Sequence, residues 1–217
     1  MKHIFLKIII NFIEKICHFY PLGNIRKKSL KISMLHPAAL AIIYYFTKNT
    51  YGYVLEIGSY IGGSTSIAAY ARKDRKSKFI SIEKGGQHNH PEIPSQNIFE
   101  DLKTNLIKLN LIDGVKLLNG SSDDKNIIHD VNLLVGDEKI SLLIIDADGN
   151  VERDINNYKH LFQDDCIIIL DDFSGPEVIK TLPTKIWVEK AIKENLIKQL
   201  AVVKWGTFIG VYNNKLK

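Results

Sequence analysis

Short apolar runs alternate with amphipathic stretches along most of this chain, and several of the runs end on acids. The runs are Tyr53–Ile57, Lys78–Glu83, Val115–Asn119, Ser141–Asp146 and Cys166–Leu170, the last followed at once by Asp171 and Asp172. Segments of helical periodicity separate them: Ser64 to about Lys73, Ile98–Asn110, Lys125–Val135 and Val151–Leu161. Further helices are expected over Pro37–Lys48 and around Lys185–Asn195. Such alternation requires crossover connections, which are right-handed and make neighbouring strands parallel. The cores LLIID and IIILDD are apolar throughout, so they read as strands covered on both faces. Two later β-rich runs, Ile197–Lys204 and Thr207–Tyr212, are split by Trp205-Gly206, which predicts an antiparallel hairpin at one edge. Open sheets of this kind bind ligands beyond the carboxyl ends of their strands. Glu56, Glu83, Asp146, Asp171 and Asp172 all fall at such ends.

The pair Asp171-Asp172 raises a physical question. Two adjacent carboxylates at the edge of a core repel each other and lose hydration, so something cationic or hydrogen-bonding must offset them. A helix cap after the strand would engage one of them. With Asp146 on a neighbouring strand end, the three carboxylates match a hard divalent cation with oxygen ligands, Mg²⁺ before Zn²⁺.

The stretch VLEIGSYIGGSTSIAAYA, residues 54–71, runs from a strand through Gly58, Gly62 and Gly63 into a helix. Glycines let backbone approach a ligand closely. The new helix offers free N–H groups and a positive dipole end to an anionic group. Glu83 ends the next strand, where a ribose-binding acid sits in nucleotide sites. The G-x-G-x-x-G fingerprint is absent, which disfavours a nicotinamide enzyme, and no lysine follows the loop as in the phosphate-binding P-loop.

The string EIGSYIGGST resembles the first motif of class I S-adenosylmethionine-dependent methyltransferases. IIDADGNVERDINNYKHLF and CIIILDDF resemble the fourth and fifth strands of small-molecule O-methyltransferases, including those that modify sugars and macrolide glycosides. The resemblance covers roughly residues 37–212. It implies a Rossmann-like three-layer α/β sandwich with a seven-stranded, mostly parallel sheet and an antiparallel C-terminal hairpin. By resemblance, Glu56 and Gly58 line the cofactor's methionine side, and Ser59 and Gly62 belong to the same cofactor-binding loop. Ser64 and Thr65 hold its carboxylate, Glu83 takes the ribose hydroxyls, and Gly120, Ser121 and Ser122 flank the adenine. Asp146, Asp171 and Asp172 would hold Mg²⁺, as in metal-dependent relatives such as catechol O-methyltransferase. The cation would lower the pKa of an acceptor hydroxyl. Relatives often read D-G-D-H where this chain has Asp146-Ala147-Asp148-Gly149, so the family's histidine is missing and Asp148 is the nearest alternative base. The acceptor implied is a small hydroxylated metabolite, a glycan among the candidates. RNA methylation and a non-catalytic cofactor-binding scaffold are the rival readings.

At 217 residues the chain suits one α/β domain, residues 37–217, preceded by a helical segment, 1–36. In that segment Ile4, Ile8, Phe12 and Ile16 recur every four residues, with Phe5, Ile9, Ile13 and Phe19 beside them. The pattern predicts an amphipathic helix that packs on the domain, joins a homodimer or contacts a membrane surface. Lys7, Asn11, Glu14 and Lys15 interrupt it, so it is no spanning helix. The net charge of +5 includes one cluster at Arg26, Lys27, Lys28 and Lys31 and a second at Arg72, Lys73, Arg75, Lys76 and Lys78. Both are expected to be solvated, and no basic-aromatic interleaving supports nucleic-acid binding. Cys17 and Cys166 match no metal or redox spacing and fit a reducing cytoplasm. The Gly- and Pro-bearing loop 84–95, with His88 and His90, is expected at the surface. Trp205 and Phe208 are expected in the core.

Overall fold

The computed structural model describes residues 2–18, 23–73 and 78–213. Strands β1 (Tyr53–Ile57), β2 (Phe79–Glu83), β3 (Lys116–Asn119), β4 (Ile140–Ile145) and β5 (Phe162–Leu170) pair in parallel. Strands β6 (Ile197–Val202) and β7 (Phe208–Tyr212) form the antiparallel hairpin, with β7 against β5. The order across the sheet is β3-β2-β1-β4-β5-β7-β6. The chain winds from β1 outward to β3, then returns to the other side of β1. The crevice beyond the carboxyl ends of β1 and β4 is therefore the switch point at which such sheets take ligands.

Eight α-helices flank the sheet: α1 (Lys2–Ile16), α2 (Gly23–Leu30), α3 (Pro37–Asn49), α4 (Gly63–Arg72), α5 (Ile98–Lys108), α6 (Lys125–Val135), α7 (Val151–Tyr158) and α8 (Val178–Lys193), counted among the described residues. Alternation along the strands assigns their faces. Val54, Leu142, Ile144, Ile167 and Ile169 pack with α1 to α5, whereas Leu55, Leu143, Ile145, Ile168 and Leu170 pack with α6 to α8. Both faces are apolar because both are covered, which is why the central strands show no polar alternation. Cys166 is fully buried, and burial pushes its thiol up.

Four expectations are sharpened or corrected. First, the N-terminal helix packs on the domain, one of the placements expected for it: Ile10, Ile13, Cys17 and Ile25 belong to the same apolar cluster as α3 and the sheet. The residues of the four-residue repeat lie mostly on the outer side of α1. Ile4, Phe5, Ile8 and Phe12 are exposed, because the helix is apolar on two sides and only one meets α3 and β6. Phe19 lies outside the described residues. Second, Arg72 is not solvated. It is buried at the C-terminus of α4, where its guanidinium donates to the carbonyls of Thr47, Thr50 and Gly52 and to the Thr50 hydroxyl. Arg75 and Lys76 lie outside the described residues. Third, α8 begins at Val178 rather than near Lys185, with Pro183 inside its early turns. Fourth, Trp205 is 69% exposed while Phe208 is fully buried. Trp205 sits at the hairpin turn with φ of 65°, which turns its ring out of the sheet layer.

Candidate functional site

β1 ends at Ile57, and the turn that follows is built on positive backbone angles: Gly58 (φ 84°), Tyr60 (φ 48°) and Gly62 (φ 97°). At Gly58 the constraint is contact as well as angle. A Cβ there would lie 1.9 Å from the carbonyl oxygen of Asp146. Asp146 in turn extends the β1–β4 ladder by donating its N–H to Ile57 O at 2.9 Å. The glycine turn and the acid at the end of β4 are therefore in direct contact.

Gly62 caps the ten-residue helix α4 without a side-chain hydrogen bond, and Ser33 packs closely against Gly63 in its first turn. Glu56, fully buried on β1, accepts hydrogen bonds through Oε2 from Thr65 Oγ1 and Ser81 Oγ, each at 2.7 Å. Its Oε1 is buried with no partner among the described residues. Burial pushes the Glu56 carboxyl up, and the hydroxyls of Ser64, Thr65 and Ser81 oppose that shift. An unpartnered buried carboxylate oxygen beside glycine backbone is suited to a cationic donor such as an ammonium.

Glu83 lies at the end of β2. Its Oε2 accepts from the N–H of Ser59 (3.0 Å) and Tyr60 (2.8 Å), and its Oε1 accepts from Gly85 N (2.9 Å). It holds the glycine turn in shape, so a ribose at this position shares oxygens already in use. Ser59 faces inward, its hydroxyl paired with Ser81 Oγ. Thr65 is likewise turned toward Glu56, whereas the less buried Ser64 stands in the first turn of α4. Past β3, Gly120 donates its N–H to Glu83 O, and Ser121 donates to Asp123 at 2.5 Å. Ser122 is drawn into a different network, with its hydroxyl 2.6 Å from Asp154 and its carbonyl accepting from Tyr158 OH. The loop 84–95 is tied down by a two-bond bridge between His88 and Ser95 and by Tyr60 OH donating to Ile93 O. His90 accepts two backbone N–H bonds through Nδ1, from Glu92 and Ile93.

The three aspartates at the β4 and β5 ends come together. Asp146, Asp171 and Asp172 each offer a carboxylate oxygen, all within 4.8 Å of one another. Asp171 continues the ladder by donating its N–H to Ile145 O, and its Oδ1 accepts from Thr207 Oγ1 at 2.6 Å. Asp172 sits at φ 55°, which points its side chain back toward the same edge. Burial, then Asp171 and Asp172, pushes the Asp146 carboxyl well above the usual range. Burial, then Asp172, raises Asp171 to about 6, against the Thr207 hydrogen bond. Burial also raises Asp172, against the pull of Lys180. Lys180 of α8 supplies local positive charge, with Nζ 3.7 Å from Asp172 and 3.5 Å from Glu177.

Asp148 does not join this group. It makes a two-pronged ion pair with Arg153, at 2.8 and 3.1 Å, which holds its carboxyl below the usual range despite partial burial. A carboxylate clamped by a guanidinium and held below its usual pKa is a poor proton acceptor, which weighs against the base role expected for it. Residues that the sequence did not single out are Ser81, Thr207, Lys180 and Arg153. Ser81 and Thr207 lie inside apolar runs, where a lone hydroxyl gives no spacing signal. Lys180 lies before the helix expected around Lys185–Asn195, in a stretch to which no element is assigned.

A model of the methyltransferase domain family matches residues 55–173. No curated protein matches the chain. Among solved structures, the chain is similar to an O-methyltransferase from Bacillus cereus in complex with SAH. The TM-score is 0.66 at 14% identity, covering 94% of this chain and 97% of that one. It is also similar to the O-methyltransferase TomG from Streptomyces achromogenes in complex with SAM, with TM-score 0.64, 11% identity and coverage of 88% and 91%. A third is the SAH-bound methyltransferase PaMTH1 of Podospora anserina, with TM-score 0.60, 15% identity and coverage of 94% and 88%.

Proposed function

The chain belongs to the methyltransferase domain family, and on that premise we propose that it moves a methyl group from S-adenosylmethionine to a hydroxyl oxygen of a small metabolite, with Mg²⁺ held by Asp146, Asp171 and Asp172. The observation that carries this reading is the contact between the two halves of the site. Gly58, in the turn that would receive the cofactor, abuts the carbonyl of Asp146, the first member of the acid trio. A cofactor held at that turn would lie beside the strand end that carries the acid trio.

The chain's own residues supply distinct parts of the reaction. Glu56 Oε1, buried without a partner among the described residues, would take the cofactor's ammonium, and the first turn of α4 its carboxylate. Glu83 is placed for the ribose, sharing the oxygens that shape the turn. The trio is a set of hard oxygen donors crowded enough to raise one another's pKa, which is the donor chemistry Mg²⁺ selects. When bound, the cation orients an acceptor hydroxyl and lowers its pKa. The acceptor oxygen then bonds to the methyl carbon as the carbon–sulfur bond breaks, leaving a neutral thioether. The hydroxyl proton, made more acidic by the cation, would pass to solvent water, since Asp146 as a ligand of that cation would be a weak acceptor. The exposed Trp205, edge-on to His36 at 4.9 Å, stands two residues from the Thr207 that holds Asp171, and offers an acceptor an aromatic wall.

Two of the similar structures are O-methyltransferases, which supports oxygen as the acceptor atom. No observation favours RNA. The test is label transfer from isotopically labelled S-adenosylmethionine to a panel of sugars, catechols and other hydroxylated metabolites, with Mg²⁺ or with a chelator. Transfer to oxygen that the chelator suppresses supports the proposal. Transfer only to amines or RNA, or transfer indifferent to the chelator, overturns it.

A further inference from the structure

We propose that the outer face of α1 docks on a bilayer surface containing anionic lipid. Two independent observations converge on this segment. The first is apolar exposure. Ile4, Phe5, Ile8 and Phe12 form one stripe along the helix, and each is 60–66% exposed. The opposite side of the helix is already occupied, since Ile10, Ile13 and Cys17 are buried against α3 and β6. Packing on the domain therefore accounts for the inner face and leaves the outer one uncovered. An uncovered stripe of large side chains on a soluble surface marks an interaction site.

The second observation is charge. Residues 1–31 hold seven Lys or Arg against Glu14 alone, a surplus of six, whereas the whole chain carries +5. The rest of the chain is thus one charge negative, and the basic character belongs to this segment. Lys7 and Lys15 are exposed on α1 itself, and Lys27, Lys28 and Lys31 are exposed just beyond it. Glu14 is turned aside, accepting from the backbone N–H of Lys204. A helix with bulky apolar side chains outward and lysines along the same side is the pattern of an in-plane membrane helix, its apolar side chains below the headgroups and its lysines among the phosphates.

A second copy of the chain fits less well. The stripe exposes on the order of 500 Å², short of the roughly 800 Å² per partner of a stable interface. Two-fold pairing through it would also bring Lys7 and Lys15 of both copies together. No described helix is long and apolar enough to cross a membrane, so the mode is surface docking.

The experiment is flotation of the full chain with vesicles of phosphatidylcholine, alone or mixed with phosphatidylglycerol, alongside size measurement in solution. The protein is expected to float with the anionic vesicles and to release as salt is raised. Ile8→Ser with Phe12→Ser should lower the partition coefficient by about tenfold or more, and Lys7→Gln with Lys15→Gln by roughly twentyfold. Both double variants should melt where the parent does, because the altered side chains lie on the outer face. Protein that stays in the bottom fraction with every vesicle overturns the proposal. So does a dimer that Ile8→Ser with Phe12→Ser converts to monomer without any flotation.

Discussion

Replacing Asp171 by Asn should stabilise the cation-free protein at neutral pH. Asp171 sits within reach of Asp146 and Asp172, and burial with the neighbouring charge raises its carboxyl from 3.8 to about 6. Its folded pKa thus lies above its unfolded one. The folded state holds the proton more tightly, so this group's contribution is fully present below about pH 4 and is lost as pH rises through about 6. Two pKa units correspond to about 3 kcal/mol, and with the strain shared across three carboxyls about 2 kcal/mol is a fair magnitude for one. For a domain of this size that amounts to roughly 5 °C in Tm. The amide keeps an oxygen to accept from Thr207, so the substitution removes charge without orphaning the hydroxyl. Thermal melts in a chelator at pH 8 should place Asp171→Asn above the parent, and the gap should shrink toward pH 4.5. Adding Mg²⁺ should raise the parent and leave the variant unmoved. A variant that melts below the parent at pH 8, or shows one offset at both pH values, would refute the electrostatic reasoning.

Lys180→Met removes the ammonium 3.7 Å from Asp172 and should tighten Mn²⁺ binding about tenfold, read by paramagnetic resonance of free Mn²⁺. Gly58→Ala puts a methyl into the Asp146 carbonyl at a positive φ, so cofactor binding should fall by more than tenfold by titration calorimetry. Arg72→Met leaves the carbonyls of Thr47, Thr50 and Gly52 without their donor and should cost about 3 kcal/mol in urea unfolding, with the slope unchanged.

The mostly parallel sheet and its antiparallel C-terminal hairpin were legible because their signals are local and repeated. LLIID and IIILDD announce doubly covered strands, and acids just after such runs must fall on the carboxyl edge. The meeting of Asp146 with Asp171 and Asp172 follows from β4 and β5 being neighbours, which the alternation implies. Side-chain direction was not legible. Ser59 and Thr65 lie in the motif yet turn toward Ser81 and Glu56, because a tight turn and a helix start send alternate side chains to opposite sides. Asp148 looked like a base by position alone, and its capture by Arg153 depends on the turn into α7. Two-sided helices defeat periodicity in another way. A four-residue repeat in α1 identified an apolar stripe, but not which of two stripes meets the protein.

The central claim is that the glycine turn after β1 holds S-adenosylmethionine. Isothermal titration of S-adenosylhomocysteine into the purified chain tests it most directly. The account predicts a single site in the micromolar range, weakened when Glu56 is replaced by Gln. Absence of binding by a folded protein would contradict it from the first motif onward.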